Sequence, residues 1–250
     1  MTARISVVAA FMILFAVAVP AQDLTLDEIL KKNEDALGGA DVIAKVQTLR
    51  MTSRLVWADG QMETLMVLSA KRPNLARAEI SSMGNATVSG YDGTTGWMIM
   101  PGSSQAQKLG EPAIAKLAGS RIENSIGSLA RIKAGGNKVE LLGKENVNGA
   151  PAYKLSVVLD GGVTMTYFLD AGSFLPVRIV TRTFTNGQEL ESESYPGNYK
   201  RVGGILFAHS MEMRASGLTM QGAFDLIEVN VPLDDSLFKM PVSGSSAIKK

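Results

Sequence analysis

Apolar and polar residues alternate at every second position through most of this chain. Tyr153, Leu155, Val157 and Leu159 alternate with Lys154, Ser156 and Asp160, and Val163, Met165, Tyr167 and Leu169 alternate with Thr164, Thr166 and Asp170. Phe207, His209, Met211 and Met213 alternate in the same way with Ser210, Glu212 and Arg214. Period two sends successive side chains to opposite faces of a strand, so each run predicts a strand with one dry face and one wet face. Turn residues separate the runs: Asp59-Gly60, Asp92-Gly93, Asn148-Gly149, Asp160-Gly161-Gly162, Asn186-Gly187 and Gly203-Gly204. The expected fold is mainly β, a strongly curved antiparallel meander of about 11 short strands.

Helical signals are confined to two places. In TLDEILKKNEDALGG, Thr25 and Glu28 have capping-box spacing, Leu26, Ile29, Leu30 and Leu37 share a face, and Gly38 closes the helix. In EPAIAKLAGSRIENSIGSLARIKAGG, Pro112 suits a first turn and Ser120 with Glu123 forms a second capping box. Ile122, Ile126 and Leu129 make its apolar stripe, and Gly135-Gly136 ends it. A sheet needs its apolar face covered, so this insertion, Glu111 to Lys133, is read as the lid of a half-closed barrel.

The ends of the chain carry other signals. Arg4 followed by the apolar run Ile5 to Val19 and by Val19-Pro20-Ala21 reads as an export signal over residues 1–21. Residues 22–241 are expected to form a single domain, and residues 242–250 a disordered tail. The expected location is the periplasm, in soluble form. Gln22 stands where a lipid anchor would require cysteine, and the chain has no cysteine for disulfides or thiolate metal sites. With Arg4 set aside, 24 basic residues face 24 acidic ones without any charge run, which gives no footprint for nucleic acid.

Catalytic parts are missing. His209 is the only histidine, so a two-histidine metal site cannot form, and no nucleophile elbow, Walker loop or zincin motif is present. No catalytic residue, metal or cofactor is expected. His209, between Phe207 and Met211, reads as a hydrogen-bonded histidine in the barrel wall. The methionines are the more suggestive feature: Met62 with Met66, Met98 with Met100 and Met211 with Met213 form same-face pairs. Methionine adapts to varied apolar shapes, and small residues such as Ala76 and Ala78 leave room. An acyl-chain cavity is therefore expected, lined by Ala76, Met98, Met100, Met165, Tyr167, Phe207, Met211 and Met213.

The stretch LSAKRPNLARAEI followed by VSGYDGTTGWMIMP resembles the superfamily of periplasmic lipoprotein carriers of the LolA/LolB type, also described as outer-membrane lipoprotein-sorting proteins. The features that carry the resemblance are Lys71 to Leu75, Asp92-Gly93, Trp97 and Pro101. YFLDAGSFLPVRI and GNYKRVGGILFAHSMEM are similar to segments of broader members. The resemblance implies an incomplete, strongly curved antiparallel β-barrel covered by a helical lid. It implies carriage of lipoprotein acyl chains or free lipid toward the outer membrane, without catalysis, and with membrane donor and acceptor proteins as partners. It also implies that Arg72 is a latch that hydrogen-bonds the lid, whereas Arg77 reads as an exposed strand residue. The superfamily's enterobacterial carrier has a bulky aromatic where this chain has Ala76, a departure that implies a wider mouth, a different cargo or no hand-over to a membrane receptor. Some relatives are envelope sensors that control a partner protein, so a binding or sensor module is the alternative.

Overall fold

The structure is a computed structural model that describes residues 23–57, 60, 62–110, 122–159, 163–185 and 188–242. The export signal, Asp59 of the Asp59-Gly60 turn, the Asp160-Gly161-Gly162 and Asn186-Gly187 turns, the insertion as far as Arg121, and residues 243–250 lie outside the described residues. So does the Ser120–Glu123 capping box.

Two helices open the described chain, α1 (Leu26–Leu37) and α2 (Ala40–Ala44). The α1 cap is the one its sequence predicts: Thr25 Oγ1 accepts from Glu28 N, and Glu28 reaches back to Thr25 N at 2.8 Å. Gly38 then ends the helix at φ 136°, and its own lack of a side chain is required, since a Cβ would stand 2.6 Å from Gly204 O.

Six strands follow as a meander: β1 (Thr48–Trp57), β2 (Met62–Lys71), β3 (Leu75–Ser82), β4 (Asn85–Tyr91), β5 (Gly96–Ile99) and β6 (Ala106–Lys108). Two short helices come next, α3 (Ile122–Ile126) and α4 (Leu129–Ala134). Then come β7 (Lys138–Val147), β8 (Ala150–Val158), β9 (Thr164–Asp170), β10 (Pro176–Thr185) and β11 (Gln188–Gly197). A small hairpin of β12 (Lys200–Val202) and β13 (Ile205–Phe207) precedes β14 (Ser210–Ala215) and β15 (Leu218–Val229).

Thirteen strands form one antiparallel sheet in the order β6-β5-β4-β3-β2-β1-β15-β14-β11-β10-β9-β8-β7, and β12 with β13 form a second of two strands. The last long strand, β15, pairs with the first, β1, so the chain nearly closes on itself. Closure fails between β6 and β7, and the helical insertion is the connection between those two free edges. Its described helices lie on the inner face of the incomplete barrel, α3 against β1, β2 and β15 and α4 against α1, as a covering lid would.

The strand count exceeds the expected eleven for local reasons. The run from Phe207 to Met213 is not one strand: it breaks at Ala208 and His209, where His209 Nδ1 lies 3.1 Å from Phe207 O. Met83-Gly84 and Ser216-Gly217 make turns with successive positive φ values (50°, 78° and 51°, 77°), as does the expected Asn148-Gly149 (51°, 88°). The first two pairs hold a methionine and a serine where a turn normally shows Asn or Asp, which hides them in the sequence. The insertion also departs from the single helix expected. Gly127, at φ 78°, ends α3, and Ser128 restarts the chain as α4. Ile122, Ile126 and Leu129 therefore do not share one stripe.

The inner face of the sheet, on which the helices lie, holds two apolar clusters. Leu37, Ile43, Val46, Leu49, Met51, Ile122, Ile126, Phe207 and Ile227 belong to the first. Ile29, Leu30, Leu129, Ile132, Leu155, Val157, Tyr167 and Leu169 belong to the second, under α1 and α4. On the outer face, Val88, Trp97 and Ile99 form a cluster with Met240 of the C-terminal segment.

That segment overturns the reading of Arg77 as exposed. Arg77 is 6 % exposed, with its guanidinium on Glu79 at 2.9 Å, over the Trp97 ring at 5.6 Å, and donating to Leu237 O at 3.3 Å. The C-terminal segment runs over the outer face like a strap, and a position that alternation assigns to water lies beneath it. Trp97 Nε1 donates to Phe238 O at 2.8 Å, and Lys71 Nζ donates to Leu233 O at 2.9 Å.

Candidate functional site

The register fixes which side chains share the inner face. Leu49 pairs with Ala70 and with Val229, Met51 with Leu68 and with Ile227, so odd positions of β1 and even positions of β2 face inward. Following the pairs across the sheet puts Ala76 and Ala78 of β3, Met98 of β5, Met165 and Tyr167 of β9, and Met211 and Met213 of β14 on that same face. Met51, Met62, Met66 and Met220 join them, and Met100 follows one residue past β5. The inner wall is thus lined with methionine from several strands, a soft and adaptable surface.

Charge is divided between the two faces. Arg50, Arg54, Glu63, Arg77 and Glu79 point outward on β1 to β3, and Lys154, Arg178, Arg182, Glu191, Glu193, Glu212, Arg214 and Glu228 do so on β8 to β15. Among the described strands of the large sheet, Lys144 is the exception, carried inward by the β7 bulge between Leu141 and Gly143. It sits at the rim, half-exposed and bonded to Asp23 at 2.6 Å. The outward charges pair with one another: Tyr195 Oη donates to Glu193 at 2.5 Å, and Arg178 bonds the other carboxylate oxygen. The Tyr195 hydroxyl first, and then the Arg178 guanidinium, hold Glu193 below the usual carboxylate range.

Between α3 and the sheet lies a cavity of about 130 Å³. Its walls include Leu37, Met51, Ile126, Tyr167, Ile179, Tyr199, Phe207, Met211 and Phe224. Burial pushes the Tyr167 phenol up to about 12 and raises Tyr199 as well, so both stay neutral and leave the cavity uncharged. Tyr199 Oη donates to Pro176 O at 2.8 Å, which satisfies the hydroxyl at the cavity wall.

Four of the expected residues meet here: Tyr167, Phe207, Met211 and the lid residue Ile126. Met98, Met100, Met165 and Met213 lie on the same face but outside this cavity, and Ala76 is buried at 2 % exposure. Ile122 sits with Ile126 in the first apolar cluster, whereas Leu129 is fully buried in the second, against α1. Phe224 was not legible as a wall residue because a bulge between Thr52 and Ser53 shifts the β1–β15 register, so that Phe224 and Ile227, three apart, both face inward.

The two halves of the insertion are held differently. Asn33, fully buried, donates to Phe174 O at 2.9 Å and accepts from Leu129 N at 3.3 Å, which caps α4 from α1. Arg131 adds bonds to Glu34 at 2.9 Å and to Ala40 O at 2.7 Å, and Lys133 meets Asp27 at 2.7 Å. Helix α4 is fastened by these polar contacts together with buried Leu129 and Ile132, and α3 contributes Ile122 and Ile126 to the first apolar cluster. Arg72 donates through Nε to Val46 O at 2.5 Å and through Nη2 to Ile43 O at 3.3 Å. It thus donates to carbonyls at the end of α2, a contact that a guanidinium's several donors suit, while the insertion residues 111–121 that a latch would hold lie outside the described residues.

Among the described residues no cluster of three or more His, Cys, Asp or Glu could hold a metal ion, and no helix is long and apolar enough to cross a membrane.

No family model matches the chain, and no curated protein matches it. Solved structures do. A LolA superfamily protein from Nitrosomonas europaea aligns at TM-score 0.58 and 17% identity, covering 87% of this chain and 98% of its own. A DUF1329 family protein from Desulfovibrio piger aligns at TM-score 0.57 and 14% identity over 86% of this chain and 97% of its own. An outer membrane lipoprotein-sorting protein domain from Vibrio parahaemolyticus gives TM-score 0.55 and 14% identity over 84% and 94%. The chain has a LolA-like fold.

Proposed function

We propose that this protein is a periplasmic carrier that shelters the acyl chains of lipoproteins or lipids on its inner face for transfer toward the outer membrane. The observation that carries the reading is the methionine-lined inner face, charged only by Lys144 at its rim, with its apolar cavity beneath α3. Each exposed methylene costs about 0.8 kcal/mol, so a multiply acylated anchor cannot cross water unaided. The neighbour described as a lipoprotein-sorting domain supports the same reading through its fold.

The cavity of about 130 Å³ is too small for a whole acyl chain. Ligand pockets typically measure about 300–1,000 Å³, and a cavity of about 150 Å³ takes a benzene-sized guest. Loading therefore requires α3 to withdraw while α4 stays fastened. Arg72 takes part by holding α2, whose Ile43 belongs to the cluster on which Ile122 and Ile126 close. In this reading Arg72→Leu loosens that seat and makes the insertion more protease-sensitive.

The test uses a fluorescent dipalmitoylated peptide in detergent-free buffer. The protein should hold it in solution as a one-to-one complex on gel filtration. A peptide that sediments equally with and without the protein would refute carriage.

A further inference from the structure

On the inner face of β1 Ser53 is buried and Trp57 is half-buried with its Nε1 atom shielded from solvent, and among the described residues neither Ser53 Oγ nor Trp57 Nε1 has a hydrogen-bond partner. Ser53 is 4 % exposed and is paired in register with Met66 on one side and Phe224 on the other. Phe224 and Met51, two residues before Ser53, both line the cavity. Trp57 lies four residues further along the same face, opposite Met62. Among the described residues the other buried side-chain atoms without a hydrogen-bond partner, Arg178 Nε and Glu228 Oε2, belong to the outer face.

Burying a hydroxyl or an indole N–H without a partner opposes folding, and an apolar wall would have been better served by alanine or phenylalanine. Indole is a donor only, and a serine hydroxyl donates readily, so both groups call for an acceptor. The inner strand face carries no arginine or lysine near them, so an ionised carboxylate or phosphate brought there would be desolvated without a counter-ion. A carbonyl is the neutral acceptor that occurs at the head of acyl chains.

We propose that the inner face takes the uncharged, ester-bearing part of an acyl lipid, with an ester carbonyl accepting a hydrogen bond from Ser53 Oγ. This rests on the carrier reading and adds to it a selectivity: ester-linked chains over ether-linked ones, with any charged headgroup left outside the barrel.

The experiment compares 1,2-dipalmitoylglycerol with its diether analogue, 1,2-di-O-hexadecylglycerol, each presented to the full chain from cyclodextrin. One net hydrogen bond corresponds to roughly fivefold to tenfold in affinity. The native protein should bind the ester tighter by about that factor, and Ser53→Ala should bind both at the diether's level. The unliganded Ser53→Ala protein should melt no lower than the native one, since the substitution removes an unsatisfied buried hydroxyl. Ser53→Thr, which keeps the hydroxyl, should keep an ester preference. Equal binding of both lipids by the native protein, or an ester preference that survives Ser53→Ala, overturns the proposal while carriage stands. Binding of neither lipid overturns carriage and this proposal together.

Discussion

Asn33 joins three parts of the chain through one buried amide. Its Nδ2 holds Phe174 O, its Oδ1 receives Leu129 N, and no water reaches it. Replacing it with alanine leaves two buried backbone groups unpaired, for which about 2 kcal/mol of destabilisation is expected. In a chain of this size that lowers Tm by roughly 4–8 °C, measurable by calorimetry. Glu193 gives a pH-dependent counterpart. Its folded pKa lies below the unfolded value, so its contribution is present above the unfolded pKa and is lost as pH falls through the folded one. Glu193→Gln should therefore flatten the fall in stability below about pH 4.3, as read from urea midpoints across pH. At this scale the sequence was legible where the partner is local, as in the Thr25–Glu28 cap. It was not legible for Asn33 or Arg77, whose partners are 96 and 160 residues away. Period-two patterning sees one covering layer, and Arg77 lies under a second.

The apolar pattern predicts one amphipathic helix where the chain makes two, α3 and α4, because Gly127 adopts a left-handed conformation between them. The division has a functional consequence in the proposed cycle. Apolar contacts are non-directional and can be exchanged for contacts with lipid, whereas the Arg131–Glu34 and Asn33–Leu129 bonds have defined geometry and would be left unpaired by movement. Hydrogen exchange should show α3 amides opening well before those of α4, and added lipid should change α3 alone. Simultaneous opening of both helices would contradict the division. The strap makes a parallel case on the outer face. Trp97→Phe removes the donor to Phe238 O, and trypsin should then cut after Lys239 several times faster without loss of the folded sheet.

Strand pairing, the turns at Asp92-Gly93 and Asn148-Gly149, and the position of a helical insertion were all readable from alternation and turn chemistry. The inward face was readable along the alternation of β9 and β14, which carry Tyr167 and Met211, whereas Phe207 reaches the cavity from the separate β12–β13 hairpin. Bulges hid the remainder: the irregularity at Thr52/Ser53 turns Phe224 inward, and the one at Leu141/Gly143 turns Lys144 to the rim. The whole molecule is a sheet wrapped until β15 meets β1, left open between β6 and β7, with charge outside and methionine within. That partition is the central physical claim, because it makes the inside a place for neutral acyl chains. The most direct measurement is native mass spectrometry of protein released from a bacterial periplasm without detergent, followed by solvent extraction. The account predicts added mass that leaves with the solvent and is recovered as acyl lipid. A bare protein mass, unchanged after incubation with acylated peptide, would contradict it.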